Sequence, residues 1–233
     1  EFDVVGFTLM YELSYTNMLN MLDLAGIPLL AEDRKDLAPI ICCGGPCACN
    51  PEPIVDFVDI VFLGDGEEST MQVLDLLKEC KKNGESKHEF LMKAKDIRGV
   101  YVPSFYKDSY NDDGTLKEIK PINGAPARVK KAVVSDMNKC FYPSSFVVPY
   151  IGIVHDRAVE EIFRGCIRGC RFCQAGFTYR PIREKSVETI NEQAKALIKS
   201  TGYDELSLCS LSTSDHSCVN EMLSSLIDWT VQD

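Results

Sequence analysis

No apolar run in this sequence approaches the roughly 18 residues needed to span a bilayer, and no stretch with the make-up of a signal peptide opens it. Internal repeats and low-complexity tracts are also missing, which removes fibrous and disordered classes. Positive charge is in deficit. Lys and Arg number 25 against 35 Asp and Glu, a net charge of −10, a poor balance for a general nucleic-acid or anionic-membrane binder, so no DNA and no membrane partner is expected. What is present is an ordinary globular composition over 233 residues, 45% hydrophobic and 26% charged, enough for one large domain or two modest ones. Eleven cysteines, an odd number unevenly spaced, argue against a secreted disulfide scaffold and for a reducing cytoplasm with metal or redox chemistry.

The first hundred residues follow an α/β rhythm. The apolar stretch Val4 to Leu9 reads as a buried parallel strand whose upstream partners have been cut away. A helix follows, with Ser14 or Thr16 as cap, Leu19, Leu22 and Ala25 at helical spacing, and Gly26 and Pro28 as its stop. Pro39 to Cys43 and Val58 to Leu63 read as two more strands, ending in Gly44-Gly45-Pro46 and Gly64-Asp65-Gly66-Glu67. A helix of about 16 residues opens after the second. It carries Glu67 and Glu68 in its first turn, Lys78, Lys81 and Lys82 towards its end and Gly84 beyond, as the helix dipole prefers. In such open parallel sheets ligands sit at the carboxyl ends of the strands, here Thr8 to Glu12, Cys43 to Cys49 and Gly64 to Glu67.

From about residue 97 the pattern shifts to alternating aromatic, β-branched and polar residues with a turn at Asp112-Asp113-Gly114, then to a proline-rich stretch up to Pro149. The α/β rhythm resumes with a short strand at Glu160 to Phe163. After a cysteine-rich loop come a helix from Ser186, closed by Gly202, a strand at Glu205 to Cys209 and a last helix carrying Val219, Met222, Leu223, Leu226 and Ile227. The expected divisions are therefore 1–96 as an α/β domain, 97–158 as hairpin and linker, and 159–233 as the opening βα units of a second domain.

The stretch that carries chemistry is Arg164-Gly165-Cys166-Ile167-Arg168-Gly169-Cys170-Arg171-Phe172-Cys173-Gln174-Ala175-Gly176. Three cysteines at C-x3-C-x2-C lie on one loop after a strand, and at this cysteine frequency chance gives about 0.02 copies of that spacing per chain. Thiolates are soft ligands for iron–sulfur clusters or zinc. Three local ligands leave one position open, whereas a structural zinc site closes with four. A zinc-binding interaction module without redox chemistry, drawing a fourth ligand from His216, Cys209 or Cys218, is the alternative reading, with a cobalamin carrier as a third.

This loop, with an aromatic before the last cysteine and a place after the first strand of an α/β unit, resembles the radical S-adenosylmethionine (SAM) superfamily. The resemblance implies that Cys166, Cys170 and Cys173 bind three irons of a [4Fe–4S] cluster, with SAM on the fourth. An electron from an external donor then cleaves SAM to methionine and a 5′-deoxyadenosyl radical, which abstracts hydrogen from substrate. It implies further that the backbone around Phe172 approaches the adenine, with Gly176 among the cofactor-binding residues. Arg183 is the candidate for the SAM carboxylate or a substrate phosphate. The family's second landmark, a Gly-Gly-Glu loop that holds the SAM amino group, is replaced here by Ser207 to His216, which makes Ser210, Ser212 and Asp215 the candidates for that task. The serines also stand where the last helix needs caps.

The first domain extends the resemblance to the lower half of the B12-binding-type domain that precedes many radical SAM modules. The fold expected is thus α/β: a partial open parallel sheet, B12-binding-like and flavodoxin/Rossmann-like, followed by the first βα units of a radical SAM partial (β/α) barrel. Cobalamin itself is doubtful, because the base-off signature D-x-H-x-x-G is absent. Kinship alone points to methylation or methylthiolation of a macromolecule, RNA or protein. Without the rest of the barrel, this stretch by itself is expected to be inactive.

A second cysteine run, Cys42-Cys43-Gly44-Gly45-Pro46-Cys47-Ala48-Cys49, reads as small buried thiols, since neighbouring strand residues face opposite ways. Between Ile162 and Lys185 six basic residues face one acid, Glu184, a local surplus that suits an anionic cluster and SAM carboxylate or, in a sharper reading, RNA.

Overall fold

The computed structural model describes residues 2–230, and the chain divides after Val133 into two compact units.

The first unit is built on a four-stranded sheet in the order β1-β2-β3-β4, with β1 Val4–Thr8, β2 Ile40–Gly44, β3 Ile60–Phe62 and β4 Val100–Tyr101. β1 to β3 are parallel, with Phe7 opposite Cys43 and Cys43 opposite Val61. Both faces of β2 are buried, as a parallel sheet requires. Ile40 and Cys42 join the cluster of Val73, Leu77 and Phe90, whereas Ile41 and Cys43 join that of Leu9, Met18 and Leu22. The helices that supply those residues are α1 Tyr15–Leu24 on one face and α2 Glu67–Asn83 with α3 Lys87–Ala94 on the other.

β4 departs from the parallel expectation and runs antiparallel to β3. The cause lies between them: two helices, not one crossover, so the chain has reversed once more before it re-enters the sheet. α2 ends in a Schellman turn, with Gly84 at φ +69°, its N–H on the Lys81 carbonyl and that of Glu85 on the Cys80 carbonyl. α3 starts at once through a capping box between Ser86 and Glu89.

The region expected to link two domains is shared out. The hairpin of β5 Tyr106–Tyr110 and β6 Leu116–Pro121 belongs to the first unit, anchored by buried Phe105. So does Ala132, whose N–H meets the Leu63 carbonyl and whose carbonyl accepts from Asp65. A buried ionic knot lies beneath the sheet. Asp59 accepts from the Ile41 amide at 2.8 Å and pairs with Lys87 at 2.6 Å and Arg34 at 3.3 Å.

The second unit pairs β7 Ala158–Glu161 with β10 Leu206–Cys209 in parallel, with Ala158 opposite Leu206 and Glu161 opposite Cys209. α5 Val187–Thr201 returns between them. Ser186 caps it by accepting from the Thr189 amide, and Ile190, Ala194 and Leu197 form its buried stripe. With α6 Val219–Thr230 they close a core of Ile162, Phe163, Met222 and Leu226. A strand, a helix and a parallel strand beside the first make one βαβ unit. Among the described residues no helix is long and apolar enough to cross a membrane.

Candidate functional site

The cysteine loop runs between two short strands, β8 Phe163–Arg164 and β9 Arg183–Glu184, which pair antiparallel and close it at its base, Phe163 opposite Glu184 and Arg164 opposite Arg183. At the foot of the loop Gly165 turns at φ +93°. A Cβ there would lie 2.9 Å from the Pro181 carbonyl oxygen and 3.0 Å from the Ile182 Cα, so only glycine lets the two ends of the loop touch. Cys170 is exposed, and Cys166 and Cys173 are half-buried, all three as free thiols. The Cys173 amide donates to the Cys170 carbonyl at 3.1 Å, a tight turn that leads into α4, Ala175–Thr178. Gly176 is buried in that short helix, Phe172 is 92% exposed, and the Arg180 guanidinium lies over the Phe177 ring at 5.7 Å.

Among the described residues no three His, Cys, Asp or Glu side chains converge on a single metal-ion position. A zinc ion 2.3 Å from each sulfur requires thiols within about 3.8 Å of one another. A cubane takes one thiolate at each of three irons, so its ligands stand apart along a wrapping loop. The donor set here, three thiols on one loop between glycine turns, fits the cluster. The fourth ligand that zinc would need from His216 is engaged: its Nε2 lies 3.1 Å from the Lys185 carbonyl oxygen and its Nδ1 accepts from the Cys218 amide at 3.1 Å.

The loop after β10 meets the cysteine loop directly. Arg168, between Cys166 and Cys170, donates Nε to Asp215 Oδ2 at 2.7 Å and Nη2 to Oδ1. Ser212 Oγ donates to the same Oδ2 at 2.7 Å, and Ser210 and Thr213 hydroxyls lie 2.9 Å apart. The Ser212 hydroxyl and then the Arg168 guanidinium hold the Asp215 carboxyl below its ordinary range. The next residues continue the grip. His216 meets the Lys185 carbonyl, and Ser217 donates its amide and hydroxyl to the Glu184 carboxylate. The structure thus brings Asp215 to the cysteine loop, with Ser212 bonded to its carboxylate and Ser210 held within the same hydroxyl-rich loop. The Asp215 oxygens, however, are already engaged by Arg168 and Ser212.

Arg183 stands elsewhere in the arrangement. It is buried, and its guanidinium donates to the backbone carbonyls of Pro181, Tyr179 and Val134 at 3.0 to 3.2 Å. That is a splint for the loop base. Of the local basic surplus, Arg164 forms a two-pronged pair with Glu161 at 2.8 and 3.0 Å, and Lys185 is buried against Glu160 at 2.7 Å. Three of the six bases thus pair with acids, and two of those partners, Glu160 and Asp215, lie 25 and 47 positions away, where sequence spacing conceals them.

Three of the rival cysteines, Cys42, Cys43 and Cys47, are buried in the core, whereas Cys49, also expected to be buried, is exposed. Cys42 and Cys43 lie on opposite sheet faces, and burial pushes their thiols up to about 11 and about 12. The strand-end turns beside them are filled by the chain itself. A Cβ on Gly45 would come within 2.7 Å of the Leu9 carbonyl oxygen, and one on Gly64 within 2.1 Å of that of Ala132. These close approaches of backbone to backbone are why glycine stands at both strand ends.

Residues 1–103 match the family described as radical SAM proteins, N-terminal. Over 99% of its length the chain is 27% identical to an uncharacterized protein of Methanocaldococcus jannaschii and spans 43% of that relative. In fold it is similar to TsrM from Kitasatospora setae, a radical S-adenosylmethionine methyltransferase. TsrM has a TM-score of 0.56 at 11% identity, with 99% of this chain and 41% of that one covered. A second structure of TsrM holds cobalamin and a [4Fe–4S] cluster. The chain is also similar to the cobalamin-dependent SAM radical enzyme OxsB, with a TM-score of 0.53 at 18% identity over 90% of this chain and 25% of that one. The class is therefore an α/β protein with the fold of cobalamin-dependent radical SAM enzymes. The family match and the shared fold together bear out the resemblance to radical SAM proteins of the B12-binding type.

Proposed function

We propose that the protein is a radical SAM enzyme in which Cys166, Cys170 and Cys173 hold a [4Fe–4S] cluster with one iron left for SAM. The observation that carries this reading is the loop: three free thiols on one segment, closed at its base by β8 and β9 and set on the first βα unit of an α/β wall. When bound, the cluster supplies the electron that cleaves SAM and so generates a radical able to abstract hydrogen from an unactivated C–H bond.

The chain's own residues do the holding. Gly165 and the Arg183 splint keep the two ends of the loop together, and the Cys170–Cys173 turn sets the spacing of the last two thiols. Ser210 and Ser212, on the loop that Asp215 ties to the cysteine loop, are the groups to receive the SAM amino group. Phe172 and Gly176 line the adenine side. Arg183 is taken out of SAM binding by its carbonyl partners, and Asp215 acts through Arg168. A reducing cytoplasm and an external one-electron donor suit free thiols and a reducible cluster, and RNA or protein as substrate rests on kinship alone.

Metal and sulfide analysis after anaerobic reconstitution tests the reading. Four irons with matching acid-labile sulfide, and an electron paramagnetic resonance signal after dithionite, are expected. One zinc and no sulfide would establish the interaction module instead.

A further inference from the structure

Asp215-His216-Ser217 is a run of three residues that grips the cysteine segment at both ends. Asp215 takes Arg168 near its start, while His216 and Ser217 take the Lys185 carbonyl and Glu184 at its close. The two later contacts sit beside β9, where the strand pairing already fixes the chain. The contact to Arg168 is different. It reaches into the loop between two candidate ligands, a stretch flanked by glycines at positive φ and carrying exposed Ile167.

We propose that Arg168 and Asp215 are positioning residues, a clamp that fixes the cysteine loop against the hydroxyl-rich loop after β10 and so sets the geometry in which the three thiols meet a cluster. This rests on the cluster reading above. The geometry is two-pronged, with both guanidinium donors used on both carboxylate oxygens, which fixes orientation as well as distance. The Asp215 side chain is 9% exposed and is itself steadied by Ser212, so one jaw of the clamp is fixed, while the Arg168 side chain, 58% exposed, reaches it from the solvent side. Because the same carboxylate oxygen accepts from Ser212, any shift of Arg168 is passed to the hydroxyls proposed to face SAM. One ion pair thereby couples the cluster half of the site to the SAM half.

The test is a double-mutant cycle on the whole chain: Arg168→Gln, Asp215→Asn and the pair together, with Asp215→Glu as the conservative variant. Each protein is reconstituted anaerobically with iron and sulfide. Three quantities are then read: iron content, the visible circular dichroism of the cluster, and the rate at which a chelator strips its iron. All variants should load iron, since the thiols are intact. Either single variant should lose iron about tenfold faster than wild type, the factor expected for a charged hydrogen-bonded pair. The double variant should be no faster than either single one, all three should share one altered dichroism spectrum, and Asp215→Glu should restore most of the wild-type values. Unchanged rates and spectra in a loaded protein would overturn the clamp and leave the cluster reading standing. Effects that multiply to about a hundredfold in the double variant would overturn it too, because the residues would then act separately. Wild type that loads no iron sulfide would instead remove the cluster reading, and the clamp with it.

Discussion

Lys185 and Glu160 form an ion pair sealed from solvent: Nζ donates to Oε1 at 2.7 Å, with side chains 1% and 0% exposed. Gln193 accepts from the same ammonium at 2.6 Å, and the Tyr142 ring lies 3.8 Å from it. The pair ties the strand that leads into the cysteine loop to the residue that leads out of it. Removing one partner leaves a buried charge alone, so Lys185→Met should cost about 3–5 kcal/mol. Lys185→Met with Glu160→Leu should recover most of that. Urea unfolding followed by circular dichroism measures both, and a single-variant loss below about 1 kcal/mol would show that water reaches the pair.

Two glycines at positive φ separate strain from contact. Gly84 ends α2 in open space, with nothing within 4 Å of the position a Cβ would take, so Gly84→Ala should cost only the left-handed backbone penalty, about 1–2 kcal/mol. Gly64, at φ +96°, faces the backbone of Ala132, so Gly64→Ala should cost at least about 3 kcal/mol and loosen residues 129–133. Thermal melts of the two variants decide it, and equal shifts would contradict the close approach.

Much of this arrangement is legible in the sequence because it is local. The cysteine spacing, the acids and lysines at the two ends of α2, the Ser186 cap and the Gly202 stop are all read within a few residues of one another. The opposite facing of Cys42 and Cys43 follows from strand alternation alone. What sequence spacing conceals is non-local. β4 runs antiparallel because a second helix intervenes, and Ala132 belongs to the first unit through bonds to Leu63 and Asp65, far away in sequence. Arg183 has the type and place of an anion ligand, yet its partners are carbonyls that no side-chain pattern encodes. Arg168 and Asp215, 47 positions apart, give no sign of each other before folding.

Glu85, just past the end of α2, carries an acid-side prediction. The Lys93 ammonium first, then the Cys80 thiol and the Asn83 amide, bind its oxygens and hold its carboxyl down to about 2 from an ordinary 4.5. A carboxyl lowered on folding stabilises the fold fully above its unfolded value, and the benefit fades as pH falls through the folded one. Glu85→Gln should therefore be less stable than wild type at neutral pH, with the gap closing between pH 4.5 and about 2. A gap that is constant across that window, measured by urea midpoints at successive pH values, would contradict the assignment.

The most direct measurement is iron and acid-labile sulfide per chain in a set of single cysteine-to-alanine variants reconstituted side by side. Loss of cluster from Cys166→Ala, Cys170→Ala and Cys173→Ala, with full loading retained by Cys42→Ala, Cys47→Ala, Cys49→Ala, Cys209→Ala and Cys218→Ala, is the result predicted. Equal iron in wild type and the first three variants, or loss on removing a thiol of the Cys42–Cys49 run, would contradict it.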